Sequence, residues 1–195
     1  MIRHALAERG HDLYETPPVA VRALLDAEWL PNRIWEPACG PGSIVRELRA
    51  SGRSVFASDL VDYSCPGQTV EDFLAAGAPQ ADCIVTNPPY KDARAFVEQA
   101  VRLCPRVMML LRFSFYESIS RGSILDTGTL ARVHCFRKRL PMMHRDGWEG
   151  PRATSTTAFA WFVWDASHHG LTAMNRISWR PLKVQAPANT LMAAE

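Results

Sequence analysis

Short, almost unbroken apolar runs alternate along this chain with longer stretches whose apolar residues recur every three or four positions. Runs of the first kind read as strands buried on both faces, and stretches of the second kind as helices laid against them. The predicted strands are 33–36, 54–59, 81–86, 107–111, 133–136 and 158–164, with a short extended piece around Gln68 and Thr69. Helical spacing is carried by Val19, Val21, Leu24 and Leu25 (a helix from about Pro18 to Glu28), by Ile44, Val45 and Leu48, and by Phe96, Val97, Ala100, Val101 and Leu103. Pro18 suits a first helical turn, and Cys104-Pro105 ends the last of these helices. Strand and helix in alternation predict an α/β fold: a mostly parallel central sheet, an antiparallel final strand at 158–164, and helices on both faces.

Three strand ends carry residues that the pattern does not need. The run Cys83-Ile84-Val85 stops at Asn87-Pro88-Pro89-Tyr90, where two prolines remove backbone donors and fix φ. Such a rigid turn would point the Asn87 side chain and the Pro88 carbonyl outward as two acceptors, with an aromatic face beside them. That set suits a flat, NH2-bearing substrate, although the same four residues also make an ordinary strand-ending turn. Arg33-Ile34-Trp35-Glu36 runs into Pro37-Ala38-Cys39-Gly40-Pro41-Gly42, a strand–glycine loop–helix junction in which backbone without Cβ can meet a ligand. Neither the third glycine of a dinucleotide fingerprint nor the Gly-Lys-Ser/Thr ending of a P-loop is present. Ser54–Ala57 leads through Ser58 to Asp59 about twenty positions later, the spacing of an acid that accepts both ribose hydroxyls, or of an acid that merely ends a strand. Asp72-Phe73 reads equally as a purine contact or as a capped helix start with a core phenylalanine. Tyr14-Glu15-Thr16 before Pro17-Pro18 reads as a lid over a ligand or as a staple on the helix start.

Composition narrows the class. With 47% hydrophobic and 22% charged residues, 195 residues suffice for one domain over 1–195, with 1–12 and about 180–195 expected to be weakly ordered. No run approaches a membrane span, and the N-terminus lacks a signal-peptide core, so a cytoplasmic protein is expected. Five cysteines form no Cys-x-x-Cys pair, which argues for reduced, buried thiols and against a disulfide framework or a metal cluster. A net charge of +2 identifies no polyanion partner by itself. Placement says more: the loop after 133–136 holds Arg137, Lys138, Arg139, Arg145 and Arg152. These could neutralise phosphates while Met142 or Trp148 faces an unstacked base; a solvated loop anchored by a tryptophan is the plain alternative.

Taken together, Tyr14-x-Thr16-Pro17-Pro18, Glu36-Pro37-Ala38-Cys39-Gly40-x-Gly42, Asp59, Asp72-Phe73 and Asn87-Pro88-Pro89-Tyr90 resemble the S-adenosylmethionine-dependent DNA methyltransferases that modify adenine N6. The resemblance covers about Asp12 to Phe115, and 158–164 looks like a compact phage or prophage member of that group. It implies a Rossmann-like class I methyltransferase fold with S-adenosyl-L-methionine as cofactor and no metal. It further implies Asn87, Pro88, Pro89 and Tyr90 as the catalytic turn, with Tyr90 stacking on a flipped base. The implied cofactor set is Tyr14, Thr16, Glu36, Ala38, Gly40, Gly42, Asp59, Leu60, Asp72, Phe73 and Asn87. Within it, Gly40 and Gly42 lie by the methionine part, Asp59 by the ribose, and Asp72 and Phe73 by the adenine. Arg137, Lys138, Arg139, Met142, Arg145 and Trp148 are the expected nucleic-acid contacts. The expected partner is DNA, or else RNA, and the expected state is a monomer or weak homodimer. No separate target-recognition domain is expected. The glutamine methyltransferases that act on release factors share the tetrapeptide, and a non-catalytic cofactor- or nucleic-acid-binding module is the alternative from another class.

Overall fold

The computed structural model describes residues 13–144 and 157–180. A two-residue strand, β1 (Tyr14–Glu15), enters α1 (Pro18–Ala27), which starts directly behind Pro17 in an extended conformation, with Pro18 as its first residue. Then come β2 (Arg33–Glu36), α2 (Ser43–Ala50), β3 (Ser54–Asp59) and β4 (Gln68–Val70). A 3-10 turn at Phe73–Ala75 precedes β5 (Cys83–Thr86), α3 (Ala93–Leu103) and β6 (Arg106–Arg112). Two further 3-10 turns and the short α4 (Gly122–Leu125) lead to β7 (Leu130–Phe136), β8 (Met143–His144), β9 (Phe159–Asp165) and β10 (Ala173–Ile177).

Eight strands form one sheet in the order β10-β7-β9-β6-β5-β2-β3-β4, and β1 pairs with β8 in a separate two-stranded ribbon. Every pairing in the large sheet is parallel except those of β9, which runs antiparallel between β6 and β7. The alternation of side chains along each strand divides the core in two. Ile34, Val85, Met108, Leu110, Trp161 and Val163 join Ala20, Val21 and Leu24 of α1 and Ile44, Val45 and Leu48 of α2 on one face. Trp35, Ile84, Val107, Met109, Phe162 and Trp164 join Phe96, Val97 and Ala100 of α3 and Ile124 and Leu125 of α4 on the other. Because both faces are covered, no polar alternation is needed, and this is why these strands read as continuous apolar runs.

The strand expected last and antiparallel is β9, and it is antiparallel; however, β10 follows it. Four of the five residues of β10 are exposed, so this edge strand has no apolar pattern to announce it. β7 begins three residues earlier than predicted, because an irregularity in its pairing with β9 at Leu130/Arg132 interrupts the alternation. At Asp72 the plainer of the two readings holds in part: its Oδ1 accepts the Leu74 N–H at 2.9 Å and caps the 3-10 turn, while Phe73 packs between Trp35 and Phe96. All five cysteines are free and four are buried. Burial raises the Cys83 and Cys104 thiols, the latter to about 11, so they are inert, neutral core groups.

Long-range polar contacts fix the layers. Glu28, just past α1, takes a two-pronged contact from Arg132 and lies 2.7 Å from Nε2 of the buried His134, both on β7. Burial alone would raise the Glu28 pKa, but hydrogen bonds from His134 and Arg132 outweigh it and hold the carboxylate below its ordinary range. Trp161 donates its indole N–H to the Ala20 carbonyl at 2.9 Å, tying β9 to α1.

Candidate active site

The strand order changes direction between β2 and β5: β3 and β4 lie on one side of β2, and β5 and β6 on the other. In such a sheet a crevice opens beyond the carboxyl ends of the strands at that point. A cleft is found there, floored by Ala38, Gly40 and Pro41 after β2 and walled by Asp59, Leu60, Val61 and Tyr63 after β3. Asp72, Phe73, Asn87 and Pro89 close its far side, and Leu13 to Thr16 pass over it.

The glycine loop is held to β3 by Asp59, whose Oδ2 accepts the Gly40 N–H at 2.9 Å and whose Oδ1 accepts the Val61 N–H at 3.2 Å. One carboxylate thereby sets the spacing of the two loops it joins. Gly40 has φ +47°, and a Cβ there would stand 2.9 Å from Leu13 Cδ1, so the absent side chain lets the overlying segment come down onto the loop. That segment is pinned twice. Ser43 Oγ donates to the Thr16 carbonyl at 2.6 Å, and Asn87 Nδ2 donates to the Tyr14 carbonyl at 3.0 Å. Tyr14 and Glu15 also pair with His144 and Met143, so the strap over the cleft is continuous with the loop that follows β7.

Asn87 has a defined polarity for this reason. A carbonyl can only accept, so the amide must turn its NH2 toward Tyr14. Its Oδ1 is then a buried acceptor without a hydrogen-bond partner, in a side chain that lines the cleft. Beside it, the Tyr90 ring lies 4.9 Å from that of Tyr14 and 5.7 Å from that of Phe159, and the Arg112 guanidinium sits 4.5 Å from its centroid.

Beneath the loop, Glu36 is wholly buried and its Oε1 accepts the Ala38 N–H at 3.1 Å. Burial pushes its carboxyl up to about 8 and the Asp59 charge adds to this, while the Ala38 N–H offsets only part of the rise. Glu36 is therefore protonated near neutral pH.

Of the residues singled out in the sequence, Tyr14, Thr16, Ala38, Gly40, Asp59, Leu60, Asp72, Phe73, Asn87 and Pro89 line the cleft. Glu36, Gly42, Pro88 and Tyr90 do not. Gly42 serves packing: it caps α2 at φ +86°, and a Cβ there would come 2.6 Å from Cys65 Sγ. Arg137, Lys138 and Arg139 are exposed at the end of β7. Met142 is a correction. It is 6% exposed within the core that covers α1 and α2, so it presents no surface to a base. Arg145, Trp148 and Arg152 lie outside the described residues. Leu13, Val61, Tyr63, Lys91 and Asp92 also line the cleft, from loops whose sequence carries no periodic signal. In the sequence they are marked only by nearness along the chain, Leu13 to Tyr14, Val61 and Tyr63 to Asp59, and Lys91 and Asp92 to Asn87.

The residues present suit S-adenosylmethionine: backbone open at Gly40, a carboxylate at the end of the second parallel strand, and Tyr63 and Phe73 as apolar walls. No protein-family model and no curated protein matches the sequence. Solved structures do match its fold. A protein from Listeria monocytogenes described as a class I S-adenosylmethionine-dependent methyltransferase superposes with a TM-score of 0.62 at 12% identity, over 89% of this chain and 68% of that one. The chain has the class I methyltransferase fold. A protein from Vibrio vulnificus described as a modification subunit of a type I restriction enzyme gives 0.58 at 13% identity over 89% of this chain. The chain spans about half, 48%, of that subunit's length. A protein from Pyrococcus horikoshii described as an RNA methyltransferase gives 0.55 at 10% identity, over 84% and 90% of the two chains. The methyltransferase fold places the strand ends of β2, β3 and β5 around one cleft, and it is there that the singled-out residues gather.

Proposed function

We propose that this chain transfers a methyl group from S-adenosylmethionine to the exocyclic N6 amino group of adenine in DNA. The observation that carries the reading is Asn87: the Tyr14 carbonyl turns its amide so that its oxygen is left a buried, unpartnered acceptor, in a residue that lines the cleft. An acceptor in that position suits an incoming NH2 group.

In this reading, the bound cofactor supplies an electrophilic methyl group on a sulfonium. Asn87 Oδ1 and the Pro88 carbonyl accept the two amino hydrogens, which moves the nitrogen toward tetrahedral geometry and exposes its lone pair. Methyl transfer to that nitrogen would leave S-adenosylhomocysteine as the second product and release one proton to water. Asp59 accepts the ribose hydroxyls, Phe73 and Asp72 bound the adenine, and Thr16 and Tyr14 close over the ligand. Arg137, Lys138 and Arg139 contact phosphates, and Tyr90 stacks on a base turned out of the duplex. Most of the rate enhancement is orientation, which a rigid turn provides.

The test is transfer of labelled methyl from S-adenosylmethionine to unmethylated DNA, total RNA and cell protein in parallel, followed by nucleoside mass spectrometry, with Asn87→Ala as control. N6-methyladenine in DNA, lost in the variant, is the expected result. Label in RNA or protein alone overturns the DNA reading, and cofactor binding without transfer to any acceptor overturns the enzymatic one.

A further inference from the structure

We propose that Arg112 is the residue that covers the acceptor platform when it is empty and grips the acceptor's phosphate when it is filled. The proposal rests on the DNA reading above and deepens it. Arg112 is the last residue of β6, exposed, and opposite Phe159 in the antiparallel pairing with β9. The next amide, Phe113 N–H, donates to the Ala158 carbonyl at 2.8 Å, so the backbone that carries Arg112 is fixed by the sheet. Its guanidinium lies 4.5 Å from the centroid of the Tyr90 ring. Among the described residues this ring contact is the one interaction it makes, whereas Arg22, Arg46, Arg106 and Arg132 each meet a carboxylate. A planar cation with its N–H donors uncommitted therefore rests on the aromatic ring that a flat substrate would need.

Magnitudes say which occupant wins. A cation on an aromatic face at an exposed site contributes about 0.5–1 kcal/mol, and a nucleobase stacked on an aromatic side chain about 1–3 kcal/mol. A base therefore displaces the guanidinium at little cost. The displaced group is not lost, because a nucleotide brings a phosphate within one sugar of its base, and a guanidinium fork pairs with phosphate through two parallel N–H···O bonds. A protein amide entering the same turn would bring no such anion. Arg112 thus biases the site toward a phosphate-bearing acceptor.

Methyl transfer to unmethylated DNA is measured as KM and kcat from 50 to 200 mM salt for the wild-type chain, Arg112→Ala and Arg112→Lys. Cofactor affinity and thermal midpoint serve as controls for the fold. Arg112→Ala is expected to raise the DNA KM about tenfold with kcat within about twofold, and to lower the slope of log KM against log salt by about 0.9, one phosphate contact. Arg112→Lys is expected to restore the slope, since it keeps the charge, but not the whole of KM, since it loses the fork. An unchanged slope in Arg112→Ala, or an equal loss in kcat and in thermal midpoint, overturns the proposal and leaves the DNA reading standing. A wild-type chain that transfers to no DNA overturns both.

Discussion

Asn87 illustrates how one hydrogen bond can decide what a side chain offers. Its Nδ2 is committed to Tyr14, so its oxygen is left as the acceptor. Asn87→Ala is expected to lower kcat about a hundredfold or more, the size of effect seen when one preorganised polar group is removed from a transition state. Cofactor affinity should change by a smaller factor, because the lost contact to the strap is one hydrogen bond of about 1 kcal/mol. Single-turnover rates and equilibrium cofactor titration separate the two, and an equal loss in both would place Asn87 in binding alone. Glu36 gives a different prediction. Its folded pKa of about 8 lies above its ordinary value of 4.5, so between those pH values the folded chain holds a proton that the unfolded chain has released. Stability should therefore be fully present below about pH 4.5, fall as pH rises, by up to about 1.4 kcal/mol per unit, and level off above pH 8. Glu36→Gln keeps the acceptor for the Ala38 N–H and removes the titration. Denaturation midpoints at pH 5, 7 and 9 should show the flatter profile, and identical slopes in the two proteins would sink the idea.

The glycine loop shows what the sequence can and cannot reveal about an element. Strand, loop and helix were legible because Ile34 and Trp35 are buried on opposite faces and Ile44, Val45 and Leu48 recur at helical spacing. The separate tasks of the two glycines were not legible. Gly40 faces the strap and Gly42 faces Cys65, twenty-three residues away along the chain, a partner that no local pattern names. Gly42 and Gly52 have the same left-handed backbone, φ +86° and +85°, but a Cβ at Gly52 would meet nothing within 4 Å. Gly52→Ala should thus cost only the conformational penalty, about 1 kcal/mol. Gly42→Ala should cost about 1–3 kcal/mol more from the overlap with a buried sulfur. Urea denaturation of the pair measures the difference, and equal losses would show that Cys65 yields. The same contrast explains the missed elements. β10 is an exposed edge, and β1 and β8 are two residues each, held by the Asn87–Tyr14 bond and by mutual pairing. Their signal is tertiary.

Across the whole molecule, parallel topology converts scattered sequence positions into one working edge. The strands β2, β3, β5, β6 and β7 all run the same way, so Asp59, Asn87, Arg112 and the Arg137-Lys138-Arg139 run, each at or just beyond a strand's carboxyl end, emerge on the same side of the sheet. A net charge of +2 conceals this, because a sum does not record where in the fold the charges lie. The run is exposed, and the Lys138 carbonyl accepts the Trp179 indole N–H at 2.8 Å. This backbone contact survives substitution of the side chains. Replacing Arg137, Lys138 and Arg139 together by alanine should remove up to three phosphate contacts, at the cost of the Lys138 contact with the Trp179 ring, and should leave the cofactor cleft, which other residues line, unchanged. The slope of log affinity for DNA against log salt should fall by up to about 2.7, at about 0.9 per contact, with KM for DNA raised and cofactor affinity unchanged. Fluorescence anisotropy of a labelled duplex between 50 and 200 mM salt reads the slope directly. If the slope stays at its wild-type value, nucleic acid does not approach over the end of β7, and the phosphates must be met elsewhere on this edge.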